Sequence, residues 1–286
     1  GALQLVLDKG QEDDWLESSF IVALIAVAAF MLVAFIVREL KTAHPVVDLR
    51  VLKVRTYAVG VTLMTVMGFV LYGSLVLLPL LLQTLLGYPS LQAGIAMAPP
   101  GMGSFIAMPL VGLIMAKVDA RKILAVGLVT ASFTLFWLGS LNMDLGYWDI
   151  FWPQFIQGFS LGLLFVPLTT ITMDPIPREN MGNATSIFNL MRNIGGSMGI
   201  ATATTMLTRH GQEHTSTLVS HIDAYSPQVG GLLDQLRAAF MARGADLATA
   251  TERARAALYG MVQRQAMMLS FTDIFRWLAV LFVAML

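Results

Sequence analysis

The sequence predicts an all-α integral membrane protein, a polytopic helical bundle, and three observations carry that prediction. Of its 286 residues, 56% are hydrophobic and only 13% charged, against roughly 25% charged residues in a soluble domain. The mean hydropathy is +0.71. Several continuous apolar runs approach or exceed the roughly 20 residues that cross a hydrocarbon core. They lack the two-residue alternation of barrel strands. A lipid interior offers no water to backbone groups, so each run must satisfy its own N–H and C=O groups as a helix.

Six complete spans follow: Phe20–Val37, Tyr57–Leu82, Ala93–Ala116, Ile123–Leu141, Phe151–Met173 and Ala184–Leu207, with a partial seventh from Phe271. The first residues, "GALQLVL", read as the tail of a preceding span, and the last, "WLAVLFVAML", stop inside an apolar run. The chain therefore reads as part of a longer protein. Residues 1–19 form a loop after the truncated span, 20–37 the first complete helix, 38–56 a second loop and 57–207 five further helices. A long polar segment, 208–270, then leads to the truncated last helix, 271–286.

Basic residues orient these elements. Arg38, Lys41, Arg50, Lys53 and Arg55 follow the first span, Lys117, Arg121 and Lys122 the third, and Arg178 the fifth. The short loops on the opposite side hold only Lys9. Short cytoplasmic loops carry the Lys/Arg excess, so 38–56 is cytoplasmic and 1–19 and 208–270 are external. Trp15, Trp148 and Trp152 then fall at the outer interface. Within 208–270, "QVGGLLDQLRAAFMAR" and "DLATATERARAALYGMVQRQ" have helical spacing, with Gly244 as a stop between them. They predict an external helical hairpin, either a solvated cap or a docking surface.

The most costly residue is Arg192, about 12 Å inside its span at 1.5 Å per residue. An arginine at the bilayer centre costs about 2.5–3.5 kcal/mol on insertion scales. Asn189, Arg192, Asn193 and Gly196 recur at i, i+3, i+4 and i+7, one helix face. This face points toward the bundle or a cavity, or else Arg192 snorkels to the inner headgroups. Gly195 and Gly199 form a G-x-x-x-G that permits close backbone approach. Gln154, Gln157 and Ser160 form a stripe on the fifth span, lining a cavity or joining helices. The methionines, 18 in all, fill apolar space or supply an adaptable wall.

Other chemistries find little support. With no cysteine and zero net charge, the chain offers no thiolate and no basic nucleic-acid footprint. No enzyme signature or cofactor site emerges. "HGQEH" matches the H-x-x-E-H zinc pattern through His210, Glu213 and His214, but in a polar loop it reads as coincidence, so no metal is expected. Asp273 and Arg276, three apart, are expected to pair.

"LQLVLDKGQEDDWLESSFI", "HPVVDLRVLKVRTYAVG", "WPQFIQGFSLGLLFVPLTTIT" and "SIFNLMRNIGGSMG" together resemble the EmrB/QacA-type drug:proton antiporters, the 14-span branch of the major facilitator superfamily. The resemblance implies the C-terminal six-helix half of such a transporter plus one linker helix, at 20–37. It implies a bacterial inner-membrane, multi-pass exporter of lipophilic drugs driven by protons. Its implied partners are the bilayer, the missing N-terminal half, a periplasmic membrane-fusion adaptor and an outer-membrane channel. Cavity roles pass to Phe69, Tyr72, Gln157, Phe165, Asn189, Arg192 and Met198. "GLIMAKVDARK" resembles a degenerate copy of the superfamily's loop motif, making Lys117, Asp119, Arg121 and Lys122 a cytoplasmic gate. The alternatives are a 14-span carrier of a specific metabolite or siderophore, a non-transporting scaffold, or a membrane enzyme using the histidine pair.

Overall fold

The computed structural model describes residues 19–42, 48–143, 145–222 and 226–286. Lys9, Trp15, most of the first loop and residues 43–47 lie outside the described residues. Nine helices are described: α1 Ser19–Lys41, α2 Arg55–Thr84, α3 Ser90–Ala96, α4 Pro99–Met115, α5 Ala120–Leu138, α6 Tyr147–Met173, α7 Met181–Ser220, α8 Pro227–Ala242 and α9 Leu247–Ala284. Short 3-10 turns at Leu49–Lys53 and Arg178–Asn180 precede α2 and α7. No strand occurs among the described residues. The chain is a helical membrane bundle, as the apolar runs predict.

Five helices close a ring. Helix α2 packs on α7, α7 on α9, α9 on α5, α5 on α6, and α6 back on α2, while α4 lies along α6. The ring encloses one continuous apolar core, in which Tyr57, Met64, Met67, Leu77, Leu135, Phe271, Phe275 and Phe282 are fully buried. Outward faces remain apolar: Phe105, Leu113, Val126, Phe133 and Trp277 are all exposed. Water would penalise such a surface by roughly 25 cal/mol per Å², whereas lipid tails accept it. Helix α1 is almost entirely surface, with Phe20, Phe30, Met31, Leu32 and Val33 exposed, and it touches the bundle lightly at the Leu49–Lys53 turn.

Helix closeness is set by small residues. Along the α2–α7 seam, a Cβ on Gly195 would strike the Thr65 carbonyl, one on Gly199 the Phe69 carbonyl, and one on Gly68 the Arg192 carbonyl. Glycines on both helices therefore bring the two backbones into direct contact, as the G-x-x-x-G predicts. Interhelical hydrogen bonds add direction. The Tyr57 hydroxyl donates to the Ala184 carbonyl at 2.8 Å, and Ser132 Oγ to the Ala279 carbonyl at 2.9 Å.

The basic loops share one end of the bundle. There Asn183, at the start of α7, accepts from the Asp48 N–H at 3.0 Å and donates to the Asp48 carbonyl at 2.9 Å. The Asp48 carboxylate in turn accepts from the Arg50 N–H. This arrangement ties the 38–56 loop to α7. At the opposite end, Tyr147, Trp148, Phe151, Trp152 and Phe155 form an aromatic cluster on α6, with Phe151 and Phe155 nearly parallel at 6.1 Å. An amphipathic aromatic patch at a helix end suits a membrane–water boundary.

Three spans differ from the sequence expectation. The third is broken at Met97–Ala98 into α3 and α4, because Pro99 and Pro100 deny the preceding turn its N–H donors. The sixth is the first half of a 40-residue helix. The last begins not at Phe271 but at Leu247, and runs 38 residues without interruption. Gly244, at φ +91°, does end the α8 turn as expected, and α8 folds against α9. The segment is thus made from extensions of α7 and α9, with α8 packed against α9. Among the described residues, six helical segments are long and apolar enough to cross a membrane, and α7 is not one of them. Its threonines, asparagines and Arg192 dilute its hydropathy.

Candidate functional site

A cavity of about 220 Å³ opens between α2 and α6, bounded at one side by the α3–α4 junction. Helix α2 contributes Leu71, Tyr72, Ser74 and Leu75; α6 contributes Gln154, Gln157, Leu161 and Phe165; Met97 and Pro100 complete the wall. The helical repeat explains the set on α6. Gln154, Gln157, Leu161 and Phe165 are separated by three, four and four residues, so they lie on one face. The lining is apolar with a few fixed polar groups, the usual composition of a small-molecule pocket.

Gln157 is both wall and glue. It is buried, and its Nε2 donates to Ser74 Oγ at 3.3 Å, which itself donates to the Leu71 carbonyl at 2.9 Å. Ser160 turns away from the cavity and returns its hydroxyl to the Gln157 carbonyl. Ser160 therefore does not extend the polar stripe.

Arg192 reaches this region from α7. Its Cζ lies 6.0 Å from the centroid of the Phe165 ring, one wall of the cavity. Its Nε is buried without a hydrogen-bond partner among the described residues. A cation over an aromatic face gains about 0.5–2 kcal/mol, less than a buried N–H loses by going unpaired when the donor is charged. The guanidinium therefore retains unused donor capacity beside an apolar pocket. It faces the bundle and does not run along the surface to the headgroups.

The expected cavity residues divide. Tyr72, Gln157 and Phe165 line the cavity, and Arg192 borders it. Phe69 instead borders a separate space of about 290 Å³ with Thr202, Met206, Trp277 and Leu281. Helix α7 packs on α2 beside both residues, with Gly199 on the Phe69 carbonyl and Gly196 on the Tyr72 ring. Asn189 spends its amide on its own helix, donating to the Thr185 carbonyl at 3.0 Å. Met198 is exposed, on the side of α7 away from Arg192. Ser74, Leu71 and Leu75 are wall residues missed in the sequence, although their spacing beside Tyr72 on one helix turn is the signal that marks them.

The expected gate residues are all exposed. Asp119 has a local role: its carboxylate accepts from the Arg121 N–H at 2.8 Å and caps α5. Among the described residues, no ion pair joins Lys117, Arg121 or Lys122 to another helix. Asp273 does not pair with Arg276. Its Oδ2 lies 2.9 Å from Nε2 of His214, because α7 continues as a helix far enough to bring that histidine alongside α9.

A family profile described as Major Facilitator Superfamily matches residues 11–200. Curated proteins similar to the chain include "Fatty acid resistance protein FarB" of Neisseria gonorrhoeae, 39% identical over 227 residues, 79% of this chain and 45% of that protein. "Multidrug export protein EmrB" of Haemophilus influenzae is 36% identical over 229 residues, 79% of this chain and 45% of its own. The protein of that same description from Escherichia coli K12 is 32% identical over 289 residues, covering 100% of this chain and 54% of that protein. The chain spans about half the length of the curated relatives it matches.

Proposed function

The chain belongs to the Major Facilitator Superfamily, a family of membrane transporters and not of enzymes, and from that premise we propose that it forms the C-terminal half of a multidrug exporter. Its substrates are lipophilic compounds, its membrane is the bacterial inner membrane, and its driving force is proton antiport. One observation carries the substrate class: a guanidinium with an unpaired buried Nε at the wall of an apolar cavity. Such a site favours an amphipathic molecule with an apolar body and an acidic head, since the head would complete the arginine's donors. The name of the FarB relative, a fatty acid resistance protein, agrees with that chemistry. In the superfamily's architecture the substrate site lies near the midplane, between two halves. Tyr72, Gln157, Phe165 and Arg192 are then this half's share of it. A periplasmic adaptor and an outer-membrane channel are the partners the external hairpin would serve.

Efflux from cells lacking their own exporters tests the reading. The full-length transporter should lower accumulation of a lipophilic organic acid, and an uncoupler should abolish the effect. Arg192→Ala should weaken export of the acid about tenfold, the equivalent of one lost charge-assisted hydrogen bond, with membrane levels unchanged. Normal export by that variant removes Arg192 from the site. Export that persists without a proton gradient rejects antiport.

A further inference from the structure

Three side chains outside the cavity form a cluster suited to a metal ion. His210 and His214, one helical turn apart on α7, meet Asp273 of α9, and one ligand atom from each lies within 4.8 Å of the others. His214 Nε2 is 2.9 Å from Asp273 Oδ2. The His210 ring stands edge-on to the His214 ring, centroids 6.2 Å apart, and makes no hydrogen bond among the described residues. All three are half-buried. Glu213, the acid of the H-x-x-E-H pattern, is exposed and takes no part.

From this geometry we infer that His210, His214 and Asp273 bind a divalent transition-metal ion of the zinc class, bridging α7 and α9. Two imidazoles and a carboxylate are borderline ligands that suit zinc, cobalt or nickel better than calcium or magnesium. Metal–ligand bonds of about 2.0–2.1 Å place tetrahedral ligands about 3.3 Å apart. The observed separations, all within 4.8 Å, would adjust toward that value as the ion binds. The ion would take the place of the direct contact between His214 and Asp273, and its fourth position would be open to water. Histidines four residues apart on a continuous helix lie on one face, and α7 runs unbroken through both. None of the three residues lines the cavity between α2 and α6.

Metal binding to the full-length transporter in detergent, stripped with chelator, tests this. Titration with Co2+ should give the ligand-field absorption of a four- or five-coordinate ion, displaced by one equivalent of Zn2+. His210→Gln, His214→Gln and Asp273→Asn should each weaken binding at least about tenfold, while Glu213→Gln leaves it unchanged. If the His214 or Asp273 variants do not fold, His210→Gln decides alone, because that ring has no hydrogen bond to lose. Unaltered affinity in His210→Gln, or no Zn2+ bound beyond that of the triple variant, overturns the site and leaves an ion pair only.

Discussion

At the scale of single residues, helical spacing located the polar chemistry but not its partners. The i, i+3, i+4 pattern placed Arg192 correctly on an inward face. It could not say that Phe165 would lie beneath it, since spacing along one helix is silent about the next. Asn189 shares that face yet bonds its own backbone, a local option always open to an asparagine in a helix. Asp119 shows the same rule at a terminus. Its substitution by alanine should lower stability by about 1 kcal/mol, with Asp119→Asn retaining most of it, as measured by thermal unfolding in detergent. Asp246 caps α9 through Thr249, and that hydrogen bonding holds its carboxyl below the usual carboxylate range. A depressed folded-state pKa favours the fold above the unfolded value and loses that advantage as pH falls. The α9 N-terminus should therefore fray on acidification, seen as faster amide exchange at residues 247–250, and Asp246→Ala should remove the pH dependence.

At the scale of elements, hydropathy identified helices wherever lipid is their environment. Helices α2, α5 and α6 fall within a few residues of the apolar runs that predict them. It failed where the surroundings change along one helix. The polar stretch 208–270 reads as an external hairpin separate from the spans, because hydropathy reports what surrounds a helix and not how far it runs. Within it, good helix formers such as "TERARAALYGMVQRQ" carry α9 straight into its apolar half. The sequence places His210 and His214 in a polar loop, and only the continuation of α7 brings them alongside Asp273. The glycine seam was legible, and it yields a sharp expectation. Gly195→Val should push α7 from the Thr65 carbonyl and cost about 1–3 kcal/mol, read as reduced yield of folded protein and a lower unfolding midpoint. Gly182→Ala, where nothing lies within 4 Å, should be silent.

At the scale of the whole molecule, the basic loops share one end of the bundle, and the Lys/Arg excess predicts that this end faces the cytoplasm. The chain contains no cysteine, so single introduced thiols report sidedness cleanly. Gly231→Cys should react with an impermeant maleimide in intact cells, and Lys117→Cys only after permeabilisation; the reverse pattern inverts the topology. Helix length has a mechanical consequence. Forty residues of α7 reach about 60 Å, twice the roughly 30 Å of hydrocarbon, and α9 is nearly as long. Two rods packed along their length form a lever with its fulcrum in the bilayer. A tilt of about 10° within the bundle would displace a tip about 25 Å beyond the membrane by about 4 Å. Rearrangement around the cavity is thereby legible at a distance, to anything that grips the far end.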